Sequence, residues 1–143
     1  MNTVRNLLQV KGYDVWSIGP DATVFEALRR MESKGIGALL VMDGDRLAGI
    51  VSERDYARKV ILRGKHSNDT RICEIMTERV FTIHPDQTLD ECMDLMTANS
   101  IRHLPVVEED RVIGVISIMD VVRAIIHRQR IEISRTEPRS YGP

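Results

Sequence analysis

Polar and apolar positions along the chain alternate with two periods, one helical and one extended. Val4, Leu7 and Leu8 recur at i, i+3 and i+4, the spacing of one helix face, and Gly12 supplies the stop. A strand is predicted over residues 15–18. Pro20, Asp21, Ala22 and Thr23 then open a second helix: Thr23 with Glu26 fits a capping box, Ala27, Leu28 and Met31 give a buried stripe, and Gly35 ends it. Residues 36–42 form a nearly continuous apolar run, Asp43-Gly44-Asp45 is a hairpin-type turn, and residues 47–51 form a second run, so the two runs should pair antiparallel. From Arg54 to about Leu62 the pattern is helical, with Tyr56, Ala57, Val60 and Ile61 as its buried candidates, and the polar stretch 63–70 reads as a linker.

At a constant offset of 65 the chain then repeats this grammar, without a gap, from Val80 to Ile126. Seventeen of the 47 aligned positions are identical, where roughly three would be expected from average residue usage. The matches include Pro20/Pro85, Asp21/Asp86, Thr23/Thr88, Glu26/Glu91, Met31/Met96, Gly49/Gly114, Ser52/Ser117, Asp55/Asp120 and Arg58/Arg123. Upstream, Ile72, Ile75 and Met76 restate Val4, Leu7 and Leu8. This is an internal repeat of one supersecondary unit, helix-strand-helix-strand-strand-helix. The predicted division is 1–64 for the first repeat with its N-terminal helix, 65–127 for the second with the linker, and 128–143 for a polar tail, where Pro, Gly and Arg accumulate and fraying or disorder is expected. A sheet of about three strands leaves one face uncovered in a single unit. The expected fold is therefore α/β, two β-α-β-β-α repeats packed sheet to sheet with pseudo-twofold symmetry, and the clefts between them are the natural ligand sites.

The repeated strand-to-helix turn carries the candidate chemistry. Residues 49–55 read Gly-Ile-Val-Ser-Glu-Arg-Asp and residues 114–120 read Gly-Val-Ile-Ser-Ile-Met-Asp. Each copy sets a Ser at the helix N-cap and an Asp three residues later, so free backbone N–H groups, a hydroxyl and a carboxylate meet at one helix terminus, which suits a ribose phosphate. Ser-x-x-Asp also serves simply as a cap with a helpful charge in the first turn. Its occurrence at the same place in both repeats favours a ligand.

Composition narrows the classes. Apolar content of 43% supports a globular core, and 20 basic against 21 acidic residues leave no nucleic-acid footprint and no polybasic membrane patch. No run reaches the ~18 apolar residues of a membrane span, and the start has no signal-peptide pattern, so a cytoplasmic protein is expected. Cys73 and Cys92 lack C-x-x-C spacing and fall in apolar helical patterns, which makes both small buried hydrophobes, and the four histidines show no ligand spacing, so no metal site is expected.

These repeats resemble the tandem cystathionine-beta-synthase (CBS) domain pair, or Bateman module. The resemblance rests on the Pro-Asp-x-Thr helix start, the Gly-x-x-Ser-x-x-Asp turn, and Ile101-Arg-His-Leu-Pro-Val-Val107 in the second copy, in order over residues 3–126. It implies regulatory binding of adenosine compounds: AMP, ADP, ATP, S-adenosylmethionine or NAD. It implies that Asp55 and Asp120 hold ribose hydroxyls while Ser52 and Ser117 meet phosphate. It further implies clefts built from both repeats, Asp55 facing Thr82, Ile83 and 101–105 with Ile101, Arg102, His103 and Pro105, and Asp120 facing Ser17, Ile18 and 36–39 with Gly37 and Ala38. The first cleft then gathers Arg54, Arg102 and His103, able to pair with phosphates, whereas the second has Ile118 and Met119 beside its Ser.

Two functions follow. One is a regulatory adenine-nucleotide-binding module that senses energy or redox state and signals in trans to an effector protein, with no catalytic cofactor. The other is a structural dimerisation module with empty clefts. An enzyme finds little support, for the sequence offers no P-loop, no nucleophile with a base and no metal cluster, and residues 3–126 leave little chain for a catalytic domain. A homodimer is expected, because the short amphipathic helices opening each repeat and residues 121–126 carry more apolar residues than one module covers.

Overall fold

The computed structural model describes residues 1–136. Its elements are α1 (Val4–Lys11), β1 (Ser17–Ile18), α2 (Val24–Lys34), β2 (Ala38–Asp43), β3 (Arg46–Ser52), α3 (Glu53–Lys59), α4 (Ile72–Ile75), α5 (Leu89–Asn99), β4 (His103–Glu108), β5 (Arg111–Ser117) and α6 (Ile118–Thr136), with a single 3-10 turn at Ile61–Arg63 after α3. They form two compact units, one of residues 14–81 with 109–112, the other of residues 1–13, 82–108 and 113 onward.

In the first unit β1 runs parallel to β2, and β2 pairs antiparallel with β3, Leu40 opposite Ile50 and Ala38 opposite Ser52. Thr23 caps α2, its side chain accepting the Glu26 N–H, and Gly35 ends the helix in the left-handed conformation. Leu39, Val41 and Val51 alternate inward from the sheet onto Val24, Ala27 and Met31 of α2, and Ile72 and Ile75 of α4 close the same core. The expected α3 is shorter than its pattern: it stops at Lys59 and buries none of its own residues, while Val60 beyond it is buried, Ala57 is exposed and Ile61 is 54% exposed. Both Gly64 and the 3-10 turn interrupt the helical period there.

The second unit repeats the plan with β4 and β5 paired and α5 capped by a reciprocal Thr88–Glu91 box. Here the expected first strand shrinks to a single parallel bridge between Ile83 and Val106, held by hydrogen bonds from Ile83 N to Pro105 O at 3.0 Å and from Val107 N to Ile83 O at 2.9 Å. Glu109 and Asp110 both take positive φ, the signature of a two-residue type I′ hairpin.

The short leading helices are where the structure departs from a simple reading of the repeat. Helix α1, assigned from sequence to the first repeat, packs in the unit of the second: Val4, Leu7 and Leu8 are buried against Leu89, Cys92, Ile116 and their neighbours. Its start is tied down by Val4 N to Gln87 O at 2.9 Å, Leu89 N to Asn2 O at 3.0 Å and a Thr3–Thr88 bridge. Helix α4, which precedes the second repeat, packs in the first unit through Ile72 N to Ala22 O at 2.9 Å and a Thr23–Arg71 bridge. Thr23 and Thr88 are equivalent positions, so each repeat takes the other's leading helix on the same surface. The repeated glycines explain the fit. A Cβ on Gly49 would lie 2.8 Å from both Met76 Sδ and Thr77 O, and one on Gly114 would lie 2.8 Å from Leu8 Cδ2. Each leading segment therefore approaches its strand over a position with no side chain.

Two further expectations change. Cys92 is buried, with its thiol pushed up to about 12 by burial and by Glu91, but Cys73 is exposed, because a single-turn α4 buries only Ile72 and Ile75. The segment after residue 127, expected to fray, continues α6 as far as Thr136, where Arg128 binds Asn2 at 2.8 Å and Asp90 at 3.2 Å. No Gly or Pro interrupts the sequence before Pro138, so nothing stops the helix earlier. The remainder of the expected tail, residues 137–143, lies outside the described residues.

Candidate functional site

Both repeated turns form the same local structure. Ser52 is extended at φ −130° and ψ 166°, its Oγ accepts the Asp55 N–H at 3.2 Å, and Asp55 Oδ2 accepts from Ser52 N at 2.9 Å and Ser52 Oγ at 3.1 Å. At the start of α6, Ser117 Oγ accepts the Asp120 N–H at 3.1 Å and Asp120 Oδ2 accepts the Ser117 N–H at 2.8 Å. Each is a reciprocal capping box in which the shorter Asp replaces Glu. The carboxylates are held well out of solvent, with side-chain exposures of 15% for Asp55 and 16% for Asp120.

Each carboxylate also has a lysine. Lys59, one turn on along α3, reaches Asp55 Oδ1 at 3.0 Å and donates to Ile75 O at the end of α4 at 2.9 Å. Lys11, from α1, reaches Asp120 Oδ2 at 2.7 Å and donates to Val115 O. Neither lysine was singled out from the sequence. Lys59 stands at i+4 from Asp55, a spacing open to inspection, whereas nothing in the sequence pairs Lys11 with an Asp more than a hundred residues away. In both units the lysine joins the motif to a leading helix. Among the described residues Asp120 Oδ1 meets only Arg123, at 3.8 Å.

The remaining candidates sort by unit. With Ser52 and Asp55 lie Ser17 and Ile18, paired to Leu40 and Val41, together with exposed Arg54 and with Gly37, whose carbonyl accepts the Glu53 N–H at 3.0 Å; Ala38 begins β2 beside it. With Ser117 and Asp120 lie Thr82, Ile83, Ile101, Pro105, His103 and Arg102, whose carbonyl accepts the Ile118 N–H at 2.8 Å. Arg102 and His103, expected opposite Asp55, are thus placed by the backbone directly beside the Asp120 helix start of their own unit.

Electrostatics follow from this packing. Burial, the largest influence on the Asp120 carboxyl, pushes it up, but the Lys11 hydrogen bond, the Ser117 N–H and the Lys11 charge together hold it below the ordinary carboxylate value. His103 is pushed down, first by burial and then by Lys11 and Arg102, against an opposing pull from Asp120. A histidine whose folded value lies below its unfolded one adds stability above the unfolded value that is lost as pH falls toward the folded one. Stability should therefore decline as pH drops below 6.5, and His103→Gln should flatten that decline in urea titrations between pH 5 and 7. An unchanged slope would exclude His103 as its source.

One cluster among the described residues has metal-ligand chemistry: His84, Asp86 and Glu108. Arg5 already bonds Asp86 at 3.1 Å and Glu108 at 2.6 Å, and His84 Nδ1 accepts the Asp86 N–H at 3.1 Å. A guanidinium fills the cation's place. No helix of the described residues is long and apolar enough to cross a membrane.

The CBS domain matches the chain twice, over residues 9–62 and 72–127. The chain belongs to the CBS-domain family. It is similar to a mitochondrial CBS domain-containing protein of Arabidopsis thaliana, CBSX3, 39% identical over 93% of this chain and 69% of that protein. A putative signal-transduction protein with CBS domains from Burkholderia ambifaria has the same fold, with a TM-score of 0.86 and 48% identity over 89% of this chain and 96% of that one. The CBS domain pair of protein MJ0100, solved in complex with 5-methylthioadenosine and S-adenosyl-L-methionine, matches with a TM-score of 0.76 and 26% identity over 88% of this chain and 97% of that one. This CBS pair spans 60% to 71% of the length of three curated relatives it matches.

Proposed function

We propose that this CBS pair binds an adenosine compound (AMP, ADP, ATP or NAD) at its Ser-x-x-Asp helix starts and reports occupancy in trans to an effector protein. The observation that carries the reading is the same half-buried carboxylate held at a helix start in both units. A carboxylate offers about four acceptor positions. Among the described residues Asp120 Oδ2 uses two, on Ser117 and Lys11, while Oδ1 meets a single guanidinium at 3.8 Å, which leaves room for a vicinal diol. The related pair that holds 5-methylthioadenosine and S-adenosyl-L-methionine supports the adenosine class. Mass spectrometry of small molecules released from the purified, denatured protein tests this directly. An adenine compound near one or two per chain is the expected result; a chain that carries none and shows no binding at millimolar concentrations, where even weak sites fill, would contradict it.

Self-association belongs to the same proposal, though of the residues the sequence suggested Ile126 stands open while the leading helices do not. Val4, Leu7, Leu8, Ile72 and Ile75 are already buried within the chain, whereas Leu62 is 78% exposed and Ile61, Met119 and Ile126 are also open. These exposed side chains favour a homodimer, and sedimentation velocity should show one at tens of micromolar, the order at which weak dimers persist. A monomer there would count against it.

A further inference from the structure

Resting on that adenosine reading, we infer that Lys11 is a phosphate-binding residue of the Asp120 site, and that with Arg102 and His103 it directs phosphorylated adenosine compounds to that site rather than to the Asp55 site. Three elements bring these groups together. Lys11 projects from the end of α1, Arg102 and His103 stand where the chain enters β4, and Asp120 sits in the first turn of α6, a 19-residue helix. The Arg102 carbonyl bonds the Ile118 N–H at 2.8 Å, which fixes the arginine backbone at the helix start.

The local charge balance is positive. Lys11, 2.7 Å from Asp120 Oδ2, and Arg123, 3.8 Å from Oδ1, flank one carboxylate, and the Arg102 backbone stands at the same helix start. Lys11 has three donors and among the described residues spends two, on Asp120 and on the Val115 carbonyl, so one remains there for an anionic oxygen. Arg102 is exposed and can add a charge-assisted bond, as can a protonated or neutral His103 through its N–H. A carboxylate for the diol and ammonium and guanidinium groups for the phosphate, side by side, match the two ends of a nucleoside phosphate.

The equivalent place in the other unit lacks the Arg102 and His103 pair, although Lys59 meets Asp55 there as Lys11 meets Asp120. Gly37 and Ala38 stand where Arg102 and His103 stand, and Glu53 replaces Ile118. The Glu53 carboxylate lies 3.8 Å from the position a Gly37 side chain would occupy, so a negative charge covers the place from which an arginine projects in the second unit. A phosphate there meets repulsion from Glu53 that offsets the attraction of Lys59, whereas the uncharged Ile118 offers no such opposition in the second unit.

The test is isothermal titration calorimetry of the full chain with adenosine and with AMP, on wild type, Lys11→Met and Lys11→Arg. Lys11→Met should weaken AMP about tenfold or more, the scale of one lost charge-assisted bond, while changing adenosine by less than about twofold. Lys11→Arg should recover most of the AMP affinity. Asp120→Asn should cost more AMP affinity than Asp55→Asn. If Lys11→Met weakens adenosine and AMP by the same factor, or neither, Lys11 only positions Asp120 and the inference fails while the adenosine reading stands. Wild type that binds adenosine without gaining affinity for AMP has the same meaning, and wild type that binds neither overturns both.

Discussion

Leu8→Ala is expected to destabilise the protein by about 2 to 5 kcal/mol, the cost of deleting a fully buried leucine and leaving a cavity. Leu8 is 0% exposed, and its methyl groups stand 2.8 and 3.1 Å from where a Cβ on Gly114 would project, so they rest on the β5 backbone. The loss should be local as well as large. Leu8 belongs to the core formed with Leu89, Leu104, Ile116 and Val121, and among the described residues none of its companions in that core comes from residues 14–81. Hydrogen exchange should therefore quicken across 82–108 and 113–126 before it does across 14–60. Equal loss of protection in both units, or loss centred on the first repeat, would show that α1 does not dock where the structure places it.

Gly49→Ala should cost about 1 to 3 kcal/mol through overpacking, and more than Gly114→Ala. The two glycines are equivalent in the repeat but meet different neighbours. An added methyl on Gly49 falls 2.8 Å from the Thr77 carbonyl oxygen, and that backbone is pinned by Ile50 N to Thr77 O at 3.0 Å and Thr77 N to Ile50 O at 2.9 Å. It can retreat only by giving up both bonds. At Gly114 the obstacle is the end of the Leu8 side chain, which can turn aside. Urea midpoints for the two variants measure the difference, and an equal or reversed order would contradict the packing.

These two sites also show what could be read from the chain and what could not. The repeat, the capped helices at Thr23 and Thr88, the β2–β3 hairpin and the Ser-x-x-Asp turns all depend on neighbours within a few residues, and local periodicity and cap chemistry determine them. The exchange of α1 and α4 does not. Val4, Leu7 and Leu8 carry the same spacing as Ile72, Ile75 and Met76, so either helix presents a suitable face to either sheet, and the pattern holds no information about which it takes. Lys11 became visible only with that exchange, since its place beside Asp120 depends on α1 docking in the second unit. The regrouping of Arg102 and His103 with Asp120 has a local cause, the bond from Ile118 N to Arg102 O, but a backbone contact between segments sixteen residues apart leaves no mark on residue periodicity.

Whether the motif carboxylates hold an adenosine compound is decided by calorimetry with AMP on wild type and on Asp55→Asn/Asp120→Asn. Asn keeps the size and can still accept the cap hydrogen bonds, so the fold should survive, while each lost bond to charge removes roughly 1 to 3 kcal/mol of binding. Wild type should bind AMP saturably, and the double variant should bind it at least about tenfold more weakly while still unfolding cooperatively. AMP affinity unchanged in that variant would make the two aspartates helix caps alone, with no part in holding a ligand.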